Sequence, residues 1–392
     1  MDKTKEEKRG ISASRLPYRR IVVKLGTSLL TGGTDNLDRA VMSDLVGQVA
    51  QLHRQGVELL IVTSGAVAAG RSKLGLTREH ASKRDDLPLK QVMASVGQGL
   101  LMNIYEQLFA EHNITIAQAL LTRADLTSRD GYLNARSTLL ALLELRVLCI
   151  VNENDVVAVE ELQGARFGDN DNLSAMVANL IDADLLLILS DIAGLYTADP
   201  HHHPEARLIP RIKRIIPEVE NLVTDSASAL GTGGMVTKIE AAKLATASGV
   251  AVIIANGREP DVILRVANGE HIGTYFPPAT SKLESRKRWM LSGLSTKGKL
   301  VVDSGCAQAL RTQKRSLLAV GIAGVEGEFA RGDVVDIYDP EGARCASGLT
   351  NYSSEDIEKI KGTRSDKIAE ILDHDFGAEV VHRNNLAMLG KK

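Results

Sequence analysis

The sequence predicts an α/β protein built on a mainly parallel sheet sandwiched by helices, followed by a small, mostly-β C-terminal unit. Short, continuously apolar runs alternate with longer amphipathic stretches between Arg20 and Phe276. Polar or glycine-bearing clusters stand directly after several of those runs. Beyond Phe276 the pattern changes to short runs broken by turn residues. Strands that are apolar throughout must be covered on both faces, and helices between successive strands return the chain for parallel pairing.

The apolar runs predict strands over 21–25, 58–63, 115–121, 147–151, 185–190 and 250–255, all buried on both faces. The stretches between them predict helices over 39–55, 66–74, 89–112, 131–145, 172–181 and 235–248. After Phe276, Pro277-Pro278 opens a segment without hydrophobic period, read as a linker. The second unit has strand-like runs at 300–302, 317–322, 334–338 and 343–349, with Asp339-Pro340-Glu341-Gly342 as a turn. Ser353-Ser354-Glu355-Asp356 has the form of a capping box, and Ile368, Ile371 and Leu372 supply an apolar stripe for the next helix. The expected organisation is a tail over 1–19, a main domain over 20–278, a linker over 279–296, a second domain over 297–384 and a tail over 385–392.

Composition narrows the function classes. The chain has 392 residues, 44% of them hydrophobic, enough for a sizeable core. A formal net charge of −2 gives no overall drive toward nucleic acid or an anionic membrane. Three scattered cysteines, Cys149, Cys306 and Cys345, with no Cys-x-x-Cys pair, argue for a reducing cytoplasm and against a disulfide framework or zinc site. The charged first residues lack the apolar stretch of a signal peptide, and the 185–189 run is far too short to span a bilayer.

In parallel sheets, ligands bind beyond the carboxyl ends of the strands. There stand Gly26-Thr27-Ser28, Ser64-Gly65-Ala66, Asn152-Glu153-Asn154-Asp155 and Ser190-Asp191. Lys24 closes the first strand, and a second lysine, Lys238, follows Gly231-Thr232-Gly233-Gly234-Met235-Val236-Thr237. Two fixed ammonium groups beside flexible backbone amides suit a phosphoryl group passing between oxygens. The glycine segment is neither a P-loop, because Thr237 stands where a glycine must precede the lysine, nor a dinucleotide fingerprint, because Val236 holds the third glycine position. It remains either a phosphate loop entering a helix or a flexible interdomain loop.

Gly168-Asp169-Asn170-Asp171-Asn172 places four acidic or amide side chains before an apolar helix, more than a turn and a cap require. Asp171 is placed to pair with Lys24 and Lys238, and Asp155 to receive a substrate ammonium group. The segment lacks the glycine and terminal glutamate of an EF-hand. Ser64-Gly65-Ala66 reads first as an ordinary helix N-cap, and an N-cap that ends a buried strand is also an anion site, so the two readings are compatible. His201-His202-His203 point in different directions in a Pro-bounded loop and do not form a ligand set. No metal-ligand cluster is expected.

As an ordered set, Val22-Val23-Lys24-Leu25-Gly26-Thr27-Ser28, Val62-Thr63-Ser64-Gly65-Ala66, Asn152 to Asp155, Gly168 to Asn172, Gly194-Leu195-Tyr196-Thr197-Ala198-Asp199-Pro200 and Gly231 to Lys238 resemble the amino acid kinase family. The second unit resembles a PUA domain, through Gly327-Glu328-Phe329-Ala330-Arg331-Gly332-Asp333. The resemblance implies ATP-dependent phosphorylation of the γ-carboxylate of L-glutamate to L-glutamyl 5-phosphate, the first step toward proline. It implies that Lys24 and Lys238 contact the transferring phosphate and that Asp171 organises them. Ser64, Gly65, Ala66, Asp155 and Asn170 would hold glutamate. Ser190, Asp191, Thr232, Gly233, Gly234, Met235, Val236, Thr237, Lys238 and Lys24 would hold the nucleotide. The family commonly has Thr before that Asp and Ser after that Met, where this chain has Ser190 and Val236. Feedback inhibition by proline and a homo-oligomer are implied as well, with no residue here from which to derive either.

A glutamate carboxylate, with a pKa of about 4.3, is already ionised at neutral pH, so the reaction calls for no catalytic base. Mg²⁺ is expected to be held mostly by the phosphates and water. Two alternatives stay open. A kinase for another small carboxylate or a nucleoside monophosphate would share the lysines and the glycine loop. An RNA-binding protein acting through the PUA-like unit would draw on the basic run Arg286-Lys287-Arg288-Trp289, against an aromatic content of 3% that leaves few stacking platforms. The length leaves no room for a fused dinucleotide-binding reductase.

Overall fold

The computed structural model describes residues 16–76, 87–158, 170–200, 202–224, 234–281, 296–313 and 315–388. Its larger sheet has seven strands in the order β3-β4-β2-β1-β5-β6-β7. These are β1 Arg20–Leu25, β2 Glu58–Thr63, β3 Ile116–Leu121, β4 Leu148–Glu153, β5 Leu185–Ser190, β6 Ala251–Asn256 and β7 Thr274–Phe276. The first six run parallel, and β7 pairs antiparallel with β6. Helices Arg39–Arg54, Ala66–Lys73, Leu87–Ala110, Arg129–Glu144, Asn170–Leu180 and Met235–Ala247 lie close to their expected positions. Four short elements were too brief to show a period: helices Thr27–Leu30, Arg123–Thr127 and Val262–Ala267, and strand β7.

The two faces of the sheet bury separate cores. Ile21, Val23 and Leu25 pack with the helices Arg39–Arg54 and Leu87–Ala110, through residues such as Leu45, Leu101 and Tyr105. Val22, Leu60, Val62, Leu186 and Ile188 face Leu173, Val177, Ile239 and Ala242 on the helices Asn170–Leu180 and Met235–Ala247. The two-residue alternation of a strand therefore puts Lys24 on the face shared by Val22 and those two helices. One expectation fails here. Strand β3 is only half-buried, because it forms the sheet edge and has a neighbour on one side alone.

The second unit holds a five-stranded sheet, β10-β8-β11-β12-β14, and the pair β13-β9. These are β8 Gly298–Val302, β9 Leu317–Leu318, β10 Ile322–Glu326, β11 Val334–Tyr338, β12 Arg344–Leu349, β13 Glu379–Val381 and β14 Leu386–Met388. The expected turn closes through Gly342 N–H to the Asp339 carbonyl at 3.0 Å, with Gly342 at φ +79°. Ser353 and Asp356 form the capping box of the helix Ser354–Ile360. The expected stripe on the following helix is narrower. Ile368 and Leu372 are buried, whereas Ile371 is exposed because the helix Ile368–Ile371 is a single turn. The two units touch where Tyr132 and Leu133 of the main domain pack on Val334 and Leu349.

Candidate active site

The parallel register aligns the carboxyl ends of β4, β2, β1 and β5 along one edge of the sheet. Lys24 lies one residue from the end of β1, between Val62 of β2 and Ile188 of β5. Strand order reverses beside β1, the crevice where open α/β sheets bind ligands. Backbone bonds close the turns there: Gly26 N–H to Leu189 O at 3.2 Å, and Ser64 N–H to Leu25 O at 3.1 Å.

Asp171, in the first turn of the helix Asn170–Leu180, is fully buried beneath this edge. Its Oδ1 lies 2.5 Å from Lys24 Nζ and its Oδ2 lies 3.2 Å from Lys238 Nζ. The lysines are themselves buried, 3% and 5% exposed. Burial by itself would raise the Asp171 pKa, but the charges of Lys24 and Lys238 and the hydrogen bonds from Lys24 and Thr237 outweigh it and hold the pKa down to about 2. The carboxylate is thus ionised throughout the neutral range. Two flexible side chains are locked by it into one orientation.

Lys238 belongs to the first turn of the helix Met235–Ala247, whose N-cap is Gly234. That end presents backbone N–H groups toward the same edge, a ready place for phosphate oxygens. Met235 and Val236 are half-buried in the first turn. Thr237 turns inward: its Oγ1 lies 2.8 Å from Asp171 Oδ2 and 2.9 Å from Gly234 O. Thr237 is expected among the nucleotide contacts, and its side chain meets the carboxylate that holds the lysines. Thr232 and Gly233 lie outside the described residues, as do Gly168, Asp169 and the 286–289 basic run.

On the β2 side, Asn170 Nδ2 donates to Ser64 Oγ at 3.2 Å. The N-cap of the helix Ala66–Lys73 is Gly65, not Ser64. Gly65 has φ +103°, a left-handed conformation that costs glycine nothing and leaves the Ser64 hydroxyl out of the cap. Ala66 is buried below it. Asp155 sits half-buried in the turn after β4. On the β5 side, Ser190 Oγ accepts from Ile192 N–H at 3.3 Å, and Ser190 O accepts from Gly257 N–H at 2.8 Å. Asp191 is exposed at the strand end. Contacts unite Lys24, Asp171, Thr237 and Lys238, and separately Ser64 and Asn170. Asp155, Ser190 and Asp191 share the edge with them.

The helix Leu87–Ala110 takes a part that its hydrophobic period does not announce. It reaches the same edge through Gln91, Gln98 and Tyr105, which bond to Val156 O, Asn152 and Thr63 at 3.0, 2.8 and 2.8 Å. The available signal was that three of the helix's polar side chains stand at intervals of seven, which places them on one face. Among the described residues no cluster of three or more His, Cys, Asp or Glu could hold a metal ion, and no helix is long and apolar enough to cross a membrane.

Both units match known families. The amino acid kinase family matches residues 19–256 and the PUA domain residues 298–372. A glutamate 5-kinase from Dehalococcoides mccartyi strain CBDB1 is 59% identical over 372 residues, covering 95% of this chain and 99% of that protein. A glutamate 5-kinase from Herpetosiphon aurantiacus is 52% identical over 369 residues, covering 94% and 98%. Another from Shewanella amazonensis is 48% identical over 372 residues, covering 95% and 96%. With matches that span both units and nearly the full length of these relatives, the chain belongs to the amino acid kinase family and, within it, to the glutamate 5-kinases.

Proposed function

We propose that this protein transfers the γ-phosphoryl group of ATP to the γ-carboxylate of L-glutamate, giving L-glutamyl 5-phosphate and ADP for proline biosynthesis. The observation that carries the reading is the single buried carboxylate of Asp171 holding Lys24 and Lys238 from two separate segments. A carboxylate oxygen of glutamate attacks the γ-phosphorus and the bond to the β,γ-bridging oxygen breaks, so ADP leaves with that electron pair. No proton moves, because the nucleophile is already ionised at neutral pH. Catalysis then rests on alignment and on charge neutralisation by Lys24 and Lys238, with Asp171 keeping both ammonium groups in place.

In this reading Ser64, Gly65, Ala66, Asp155 and Asn170 hold glutamate at the β2 and β4 ends. Ser190, Asp191 and the segment from Thr232 to Lys238 hold the nucleotide, with Thr237 acting through Asp171. The site fits Mg²⁺ arriving with the nucleotide: both Asp171 oxygens already meet lysines and Thr237, which leaves the ion to phosphate oxygens and water. When bound, it offsets negative charge on the phosphates. We assign the catalytic domain to residues 20–278 and the PUA domain to 297–388, joined by 279–296; the boundary expected at 384 moves outward because β14 pairs with β12 in the second sheet.

The reading extends to a cytoplasmic homo-oligomer inhibited by proline. An oligomer finds support in Val92, Val96 and Leu100, exposed by 50%, 38% and 36% at helical spacing, and in the edge strand β3 with Leu120 exposed by 37%. Trapping of the acyl phosphate with hydroxylamine, using ATP, Mg²⁺ and a panel of glutamate, aspartate, N-acetylglutamate and a nucleoside monophosphate, tests the reaction. Hydroxamate from glutamate alone is the expected result. Hydroxamate from another acid replaces the substrate, and none from any acid overturns the reading.

A further inference from the structure

The reacting carboxylate of the substrate must lie near Lys24 and Lys238, at the ends of β1 and of the glycine segment. Its α-carbon then falls toward β2 and β4, one and two strands away, where strands are spaced by about 4.8 Å. At that end three buried side-chain atoms have no hydrogen-bond partner among the described residues: Nε2 of Gln98, Oδ1 of Asn152 and Oδ1 of Asn170. Buried polar atoms without partners are costly, so a set of them at a ligand-binding edge states what the ligand must offer.

Asn152 is 2% exposed and stands in β4 directly after Val151, which pairs with Val62 of β2, two residues before Ser64, which Asn170 touches. Its Nδ2 donates to Gln98 Oε1 at 2.8 Å. That bond uses one end of each amide and leaves a donor on Gln98 and an acceptor on Asn152. Exchanging O and N in both amides would still leave one donor and one acceptor. With the Asn170 amide donating to Ser64, the orphan set is a donor with two acceptors, the complement of a carboxylate next to an ammonium group.

Gln98 is held firmly in place. Gly97 beside it packs against the helix Ala66–Lys73 so closely that a Cβ there would come within 1.8 Å of Ala66 O. One turn to either side, Met93 and Leu101 are buried, and Tyr105 bonds to Thr63 on the same face.

We propose that Gln98 is a substrate-binding residue, donating from Nε2 to the α-carboxylate of the amino acid while the carbonyl groups of Asn152 and Asn170 accept from its α-ammonium group. This rests on the glutamate reading above and adds the feature that recognises the α-carbon end. Gln98 would thereby separate α-amino acids from amines that lack the α-carboxylate.

The test compares the full chain with Gln98→Leu and the isosteric Gln98→Glu, each checked for folding by its melting curve. Steady-state hydroxamate formation and calorimetric titration are read with glutamate, and with 4-aminobutyrate, which is glutamate without its α-carboxylate. Gln98→Leu should weaken glutamate about tenfold to a hundredfold, the loss expected for one hydrogen bond to a charged group. KM for ATP and the affinity for 4-aminobutyrate should stay within about twofold. Gln98→Glu still accepts from Asn152 but sets a charge against the carboxylate, and should weaken glutamate at least as much. Glutamate affinity unchanged in both folded variants, or equal weakening of both ligands, overturns the assignment. Wild-type protein that binds glutamate without phosphorylating it would sink the reaction alone, while the variants still report on Gln98. Failure of wild type to bind glutamate overturns both.

Discussion

Thr237 Oγ1 lies 2.8 Å from Asp171 Oδ2, the same oxygen that receives the Lys238 ammonium group at 3.2 Å. The hydroxyl has one proton and a carboxylate is the stronger acceptor, so Thr237 serves Asp171 in preference to Gly234 O. Consecutive residues of one helical turn thereby grip one carboxylate. The nucleotide-side helix and the helix carrying Asp171 are tied together through that pair.

Thr237→Val keeps the shape and removes the donor. We expect kcat to fall about tenfold, from one lost hydrogen bond to a charged group, with KM for glutamate little changed. Thr237→Ser should retain most of the rate. Steady-state hydroxamate assays decide it, and a Val variant at wild-type kcat would show that Thr237 is not positioning Asp171.

Lys24→Ala and Lys238→Ala each leave Asp171 one ionic partner, so the fold should survive while charge neutralisation at the phosphate is lost. We expect kcat to drop on the order of a hundredfold or more in each. Near-normal turnover in either would remove that lysine from the reaction.

Asp171 couples stability to acid. Its folded-state pKa of about 2 lies below the ordinary carboxylate value, so its contribution is complete above about pH 4 and is lost as pH falls toward 2. The shift corresponds to about 2 to 3 kcal/mol. Urea titrations from pH 6 down to 2 should show this limb in the wild-type protein and its absence in Asp171→Asn. Identical pH slopes in the two proteins would contradict the coupling.

Gly70 and Gly97 let two helices touch backbone to backbone: a Cβ at Gly70 would come within 1.7 Å of Met93 O, and one at Gly97 within 1.8 Å of Ala66 O. Rigid backbone cannot yield as a side chain would. Gly97→Ala should cost about 2 to 4 kcal/mol and raise KM for glutamate, because the displaced helix carries Gln98 and Tyr105. A melting curve and a glutamate titration check both effects.

Local order was legible because it is written locally. Runs such as Leu-Leu-Leu-Ile-Leu at 185–189 are too short for a buried helix and fit strands buried on both faces, and the structure places β5 there, fully buried. The polar clusters after the runs could be assigned to one edge because parallel strands all end on the same side. Edge exposure of β3 was not legible, since its apolar run does not say how many neighbours it has. Nor did Ser64-Gly65-Ala66 reveal that glycine takes the cap, which depends on the left-handed turn forced by the entering strand.

The sequence by itself determined the fold class, the positions of the long helices and of the main strands of the larger sheet, the second unit and the small set of polar segments able to do chemistry. Those properties follow from periodicity and burial within a dozen neighbouring residues. Tertiary structure alone decided the geometry with which they meet and which further side chains, such as Gln98, join them. Lys238 reaches Asp171 across 67 positions and Asn152 reaches Gln98 across 54, contacts set by strand order and helix packing. Such distances depend on the whole sheet closing at once, and no local pattern carries them.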